Sequence, residues 1–171
     1  LSLIAVGIGP GPFTGLRIGL GLAKGLATVR HIPLIGVPTL EILAASQPCF
    51  DGELVAVLAA GRGRICAQRF AWVGDAWEPL LPPAILDWES LLAQLGERPA
   101  LLSGEISAAA IQKVVAAAAG GQALTLAPAA ARLRRAAYLA DRAWQRLWRD
   151  EIDDPDTLVP IYLHQPGVPH P

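Results

Sequence analysis

The chain has 171 residues, 53% hydrophobic and 17% charged, enough to bury a core in one domain or two small lobes and too apolar for a disordered polymer. Lys and Arg number 14 against 15 Asp and Glu, a net charge of −1, so no overall basic excess exists for gripping a phosphate backbone. Cys49 and Cys66 show neither metal-ligand spacing nor a disulfide framework, which points to a reducing, cytoplasmic setting.

Leu1-Ser-Leu-Ile-Ala-Val6 reads as a strand apolar on both faces, the pattern of a parallel-sheet interior. A chain without Met that opens inside such a strand reads as an N-terminally truncated fragment. The turn Gly7-Ile-Gly-Pro-Gly-Pro-Phe-Thr14 follows, where Gly and Pro forbid regular structure. A helix is predicted from Thr14 to Val29. Leu16 to Val29 is the most apolar stretch of a chain whose mean hydropathy is +0.40. It falls short of the ~20 residues a bilayer requires and carries Arg17 and Lys24, so the chain is read as soluble. Leu34–Val37 is a strand, and Pro38-Thr39 opens a helix through Ser46. The rhythm is strand–helix–strand–helix, that of a parallel sheet with helical crossovers. Gln47-Pro-Cys-Phe-Asp-Gly52 breaks it as a lobe boundary.

Beyond the boundary the order changes. Leu54–Ala59 and Ile65–Trp72 flank the hairpin signal Gly61-Arg-Gly63, and a third strand lies at Trp77–Leu81. Asp87 caps a helix to Leu95, Leu101–Ser103 is a strand, and Ser107 to Ala119 is a helix closed by Gly120-Gly121. Leu124–Leu126 is a strand, and a long helix is predicted from Ala129 to Arg149. This α/β order is that of a ribonuclease-H-like lobe, the unit duplicated in the two-lobed actin-like (ASKHA) fold of ATPases and sugar kinases. Residues 1–50 then read as the later half of an incomplete N-terminal lobe. Residues 51–150 read as the second lobe, and 151–171 as a C-terminal loop, short strand and tail.

The two long helices carry different patterns at ~100° per residue. On the last one, Leu133, Ala136, Ala137, Ala140, Ala143, Trp144, Leu147 and Trp148 form the expected core face, with Arg132, Arg135, Arg142, Arg146 and Arg149 opposite. That basic stripe is read as a solvated face, the alternative being contact with nucleic acid or an acidic partner. On the first, Leu16, Leu20, Ala23 and Ala27 make one apolar stripe and Ile18, Leu22, Leu26 and Val29 a second. A crossover helix needs only one. Gly15, Gly19, Gly21 and Gly25 lie within it although each Gly costs ~1 kcal/mol relative to Ala. Two readings follow: a helix buried between lobes, or an interface helix docked against a partner.

Catalytic chemistry is thin. The Gly9–Thr14 turn places Gly9, Gly11 and Thr14 at a helix N-terminus, a possible phosphate-proximal turn. It matches neither G-x-G-x-x-G nor a P-loop, and two prolines remove N–H donors from it. His31, His164 and His170 form no metal-binding pair, and Ser103-Gly-Glu105 lacks a nearby His. Cys66 reads as a buried inert thiol. Asp150, Glu151, Asp153, Asp154 and Asp156 read as a solvated linker without the spacing of an EF-hand.

Gly9-Pro-Gly-Pro-Phe-Thr-Gly-Leu-Arg-Ile-Gly19, then Ala23-Lys-Gly-Leu-Ala27 and Ile35-Gly-Val-Pro-Thr-Leu-Glu41, closely resemble the TsaB (YeaZ) family pattern G-P-G-S-F-T-G-L-R-x-G, A-K-G-L-A, G-V-S-S-L-E. Pro160-Ile-Tyr-Leu-His164 is similar to the family's closing P-x-Y-L-R. The resemblance implies a two-lobed, non-catalytic, cytoplasmic partner subunit that supports TsaD in threonylcarbamoyl transfer to the tRNA adenosine next to the anticodon. It implies work with the ATPase TsaE, indirect contact with tRNA, no cofactor of its own, and ATP or ADP only in the complex. The older labels glycoprotease and peptidase M22 describe an activity the visible residues do not support. Carried over by position, the partner interface is Phe13, Leu16, Arg17, Leu20, Ala23, Lys24 and Ala27.

The chain departs from the family at Pro12, where Ser is usual, and at Ala59-Ala-Gly-Arg-Gly-Arg64, where D-A-R-x-x-E-V-Y is usual and Cys66 replaces Tyr. The family's opening ~60 residues, about half a lobe, have no counterpart here. Their absence would expose the first strand's edge and an apolar helix face, so a homodimer is expected in isolation. Two competing readings stand beside the partner subunit: an active phosphotransferase of sugar-kinase-like or TsaD-like type, and a structural pseudoenzyme bound to something unrelated.

Overall fold

In a computed structural model, which describes residues 1–163, the chain divides into two compact units, Leu1–Ile42 with Arg134–Tyr162, and Leu43–Leu133. The first is built on two parallel strands, β1 (Ile4–Gly7) and β2 (Leu34–Val37), paired Ile4 to Leu34 through Gly7 to Val37. They are joined by helix α1 (Phe13–Arg30), and α2 (Thr39–Ala45) follows β2. Alternation along the strands divides the packing. Ile4, Val6 and Leu34 meet Ala23 and Ala27 of α1, with Leu158 beside them. Leu3, Ala5, Ile35 and Val37 meet Tyr138, Leu139, Ala143 and Leu147 of the last helix, α5 (Ala136–Trp148).

The outer edge of β2 is partly closed by the acidic segment. Asp153 N–H donates to Leu34 O at 3.1 Å, and its carboxylate accepts the Gly36 N–H at 2.7 Å. Arg146 ties this to α5, donating to Gly36 O at 2.7 Å and pairing with Asp153 at 3.1 Å. Asp153 is therefore a structural clamp, where the sequence suggests a solvated linker.

The second unit is a six-stranded sheet. β3 (Glu53–Ala59), β4 (Ile65–Val73), β5 (Ala76–Pro79), β7 (Ala100–Gly104) and β8 (Leu124–Leu126) run in the order β5-β4-β3-β7-β8, and β6 (Ala84–Leu86) pairs β4 beside β5. The hairpin strands are antiparallel; β3–β7 and β7–β8 are parallel, joined through α3 (Trp88–Leu95) and α4 (Ala108–Ala119). Both helices begin at side-chain caps: Asp87, expected from sequence, accepts the Ser90 N–H at 2.8 Å, and Ser107 accepts the Ala110 N–H at 3.3 Å. Val55, Val57, Leu102, Trp88, Leu91, Leu95 and Val114 form the core between the sheet and these helices.

Three expectations are corrected. β6 is absent from the sequence reading because three residues after two prolines carry no periodicity; its pairing with Ile65–Ala67 makes it a strand. The long helix from Ala129 is two pieces, a 3₁₀ turn at Ala129–Ala131 and α5. The carbonyl of Ala131 that would continue the first piece instead accepts the Gln47 side-chain amide at 2.7 Å. Residues 51–150 are also not one unit, because α5 packs on β1 and β2.

On α5 itself the wheel is rotated. Ala143 is the fully buried contact, while Trp144 and Trp148 are exposed, as is Leu133 ahead of the helix. Arg142 and Arg146 turn inward to Glu41, at 3.6 Å, and Asp153. The two guanidiniums can sit there because carboxylates from other segments meet them and their stems are apolar.

Candidate docking surface

The Gly9–Thr14 turn is built for packing. Gly9 has φ +105°, and a Cβ on it would lie 2.8 Å from Ile161 O and 3.0 Å from Leu16 Cδ1. Its carbonyl accepts the Thr39 N–H at 2.8 Å, and Ile161 N–H donates to Ile8 O at 2.7 Å. Gly9 and Pro10 are buried, while Gly11 and Thr14 are exposed. Of the three residues marked as phosphate-proximal, Gly9 is thus occupied by the C-terminal segment.

From this turn α1 leaves with Pro12 at its N-cap position and no side-chain cap. Its two stripes have opposite fates. Leu20, Ala23 and Ala27 are buried in the unit's own core, and Leu16 and Lys24 are half-buried. Ile18, Leu22, Leu26 and Val29 are exposed by 66%, 64%, 47% and 76%. The interface assignment of Leu20, Ala23 and Ala27 is therefore corrected, since Leu20 is buried and Ala23 and Ala27 pack on β1 and β2, leaving none of them to face a partner. Phe13 and Arg17 remain on the exposed side. Size was a partial signal: Ala23 and Ala27 let the helix approach its sheet closely.

The helix glycines sharpen this. A Cβ added at Gly15, Gly19, Gly21 or Gly25 would meet nothing within 4 Å. Each costs about 1 kcal/mol against Ala, and no packing among the described residues offsets it. What they provide is a flat margin on both sides of the Ile18–Leu22–Leu26 ridge, where a second helix can approach closely.

At the N-terminal end of this face the Phe13 ring lies 5.2 Å from that of Tyr162, tilted by 34°, and the Arg17 guanidinium sits 5.2 Å over Phe13. The Gly-Pro turn and the P-x-Y-L segment, from opposite ends of the sequence, meet here. His164 and His170 lie outside the described residues.

Residues 1–165 match the family model described as TsaD, tRNA N6-adenosine threonylcarbamoyltransferase. The chain is 37% identical over 107 residues to the tRNA threonylcarbamoyladenosine biosynthesis protein TsaB of Bacillus subtilis, covering 61% of this chain and 46% of that one. The chain belongs to the TsaB (YeaZ) family. The Escherichia coli TsaB is 34% identical over 113 residues, 61% of this chain and 45% of its own. This TsaB-family chain thus spans about half the length of the curated relatives it matches. A crystal structure from Pseudomonas aeruginosa, described as similar to peptidase YEAZ, superposes with TM-score 0.73 at 23% identity, over 96% of this chain and 74% of that one. It shows the fold, which is the actin-like one.

Elsewhere the TsaB-family chain has little chemistry on display. Burial pushes the Cys66 thiol up to about 12, so it stays protonated. Among the described residues no group of three or more His, Cys, Asp or Glu is placed to hold a metal ion, and no helix is long and apolar enough to cross a membrane.

Proposed function

We propose that this chain is a partner subunit in tRNA threonylcarbamoyladenosine biosynthesis, binding a TsaD-type catalytic subunit through the exposed face of α1. The observation that carries it is the helix with two apolar stripes: one is used at home, and the other stands beside four glycines that gain no packing among the described residues. Apolar surface of this kind marks an interaction site. The chain supplies shape and no reacting group. ATP or ADP enters with a TsaE-type ATPase, and tRNA is reached through the catalytic subunit in the cytoplasm.

The test is titration of a TsaD-type subunit into the chain by calorimetry. Leu22→Asp is expected to weaken binding by at least tenfold, as for the loss of a buried interface anchor, with the melting temperature unchanged. Leu20→Asp, which places a charge in the home core, unfolds the first unit instead. Wild-type affinity retained by Leu22→Asp would sink the assignment.

A further inference from the structure

The last helix, α5, has a flank that its own unit leaves uncovered. Ala143 faces β1 and β2, and Arg142 and Arg146 turn to Glu41 and Asp153 on one side. At ~100° per residue, Ala137, Ala140, Asp141, Trp144 and Trp148 fall within about 100° of arc on the other side. All are exposed, Trp144 by 46% and Trp148 by 76%. The two indoles meet edge to face, centroids 6.1 Å apart and planes at 80°, so the pair is ordered before anything docks on it. Stiff aromatic surface of this kind lowers the entropic cost of binding.

This flank is bulky at one end and small at the other. Trp144 and Trp148 occupy its C-terminal half, Ala137 and Ala140 its N-terminal half. A two-fold axis turns such a gradient into a fit, because each copy then meets the opposite end of the other. Centred between Arg142 and Ala143, an antiparallel pair sets Trp148 over the other copy's Ala137. It also sets Trp144 over the other copy's Asp141, whose carboxylate can accept the indole N–H. The helix ends agree. Arg134 and Arg135 precede the first turn, which holds no acidic residue, and Asp150 and Glu151 follow the C-cap. Each of these charges stands at the unfavourable end of its own helix dipole and at the favourable end of an antiparallel neighbour's.

We propose that this flank is a self-association surface, on which two copies of the chain pair α5 against α5, antiparallel, each tryptophan pair seated on the small half of the other copy's flank. α1 packs on the opposite face of the β1–β2 pair, so this surface is separate from the docking face and does not depend on it. Size sets the strength. With about 250 Å² for a fully open indole side chain, the two rings offer about 300 Å² per copy at their observed exposure. The smallest stable interfaces bury about 600 Å² a side. The alanines and helix ends complete a weak dimer that forms with rising concentration.

The experiment is light scattering on the full chain carrying Leu22→Asp, which removes association through the exposed stripe of α1. Between about 10 μM and 1 mM, the range for an interface of this size, the mass is expected to rise from monomer towards dimer. Adding Trp144→Ala/Trp148→Ala, at rings exposed in the single chain, should weaken association by at least tenfold. Ala137→Trp should do the same by filling the small half, and Ala137→Trp/Trp148→Ala should restore it by exchanging knob and hole. Iodide should quench the two exposed indoles in the dilute monomer and lose access to them as dimer forms. The proposal is overturned by a monomer at every concentration, or by association that survives the loss of both rings. It is equally overturned if the exchanged variant stays monomeric, or if the rings are already shielded in the dilute monomer by some other part of the protein.

Discussion

Single glycines divide into two kinds in this molecule, and the division is testable. Gly36 is locked: a Cβ there would lie 2.5 Å from Ile8 Cγ2 and 3.1 Å from Leu158 Cδ1. Gly36→Ala overfills that contact and is expected to cost about 1–3 kcal/mol, read as a lower urea midpoint. Gly21 and Gly25 face open space. Gly21→Ala/Gly25→Ala should stabilise the isolated chain by about 2 kcal/mol while weakening capture by a TsaD-type subunit. Stability and binding moving in opposite directions is the signature of a residue retained for its partner. The cysteines behave in parallel. Cys49 is exposed and Cys66 buried, with its thiol pushed up to about 12. A thiol reagent near pH 8 should label one cysteine per folded chain and two after unfolding.

The elements were legible to different depths. The Asp87 cap was read directly, because its bond is local in sequence. The Ser90 N–H holds the Asp87 carboxyl below the usual carboxylate range. A lowered folded value means that the capping contribution is complete above the ordinary carboxylate pKa and lost as pH falls through the folded one. The Ser90 amide proton should therefore titrate below the normal Asp midpoint, and the transition should vanish in Asp87→Asn. α5 was legible as a helix and illegible in its rotation, because Asp153 and Glu41 decide which way its arginines turn. Arg146→Met leaves the Gly36 carbonyl and the Asp153 carboxylate short of a donor, and a loss of roughly 2 kcal/mol is expected in denaturant titration.

At the scale of the whole molecule, each unit has its own core, so a lesion in one need not be seen by every probe. Trp77 and Trp88 are buried in the second unit, whereas Trp144 and Trp148 of the first are already exposed. Leu20→Asp should therefore reduce helical circular dichroism with little change in tryptophan emission. The candidate surface is assembled the same way, from segments distant in the chain. Tyr162 meets Phe13 across nearly the whole sequence, and no periodicity within either segment announces that contact.

Sequence alone determined the strand–helix alternation, the Asp87 cap, the family and the presence of a helix with two apolar stripes, because all of these rest on local spacing or a contiguous motif. Only the tertiary structure decided which stripe of α1 is spent on the protein's own sheet, which side of α5 faces inward, and that a Gly-Pro turn is filled by Ile161. Those outcomes depend on volumes and charges supplied by residues far along the chain. A helix wheel records the angles on one cylinder and nothing of the surface that will be pressed against it.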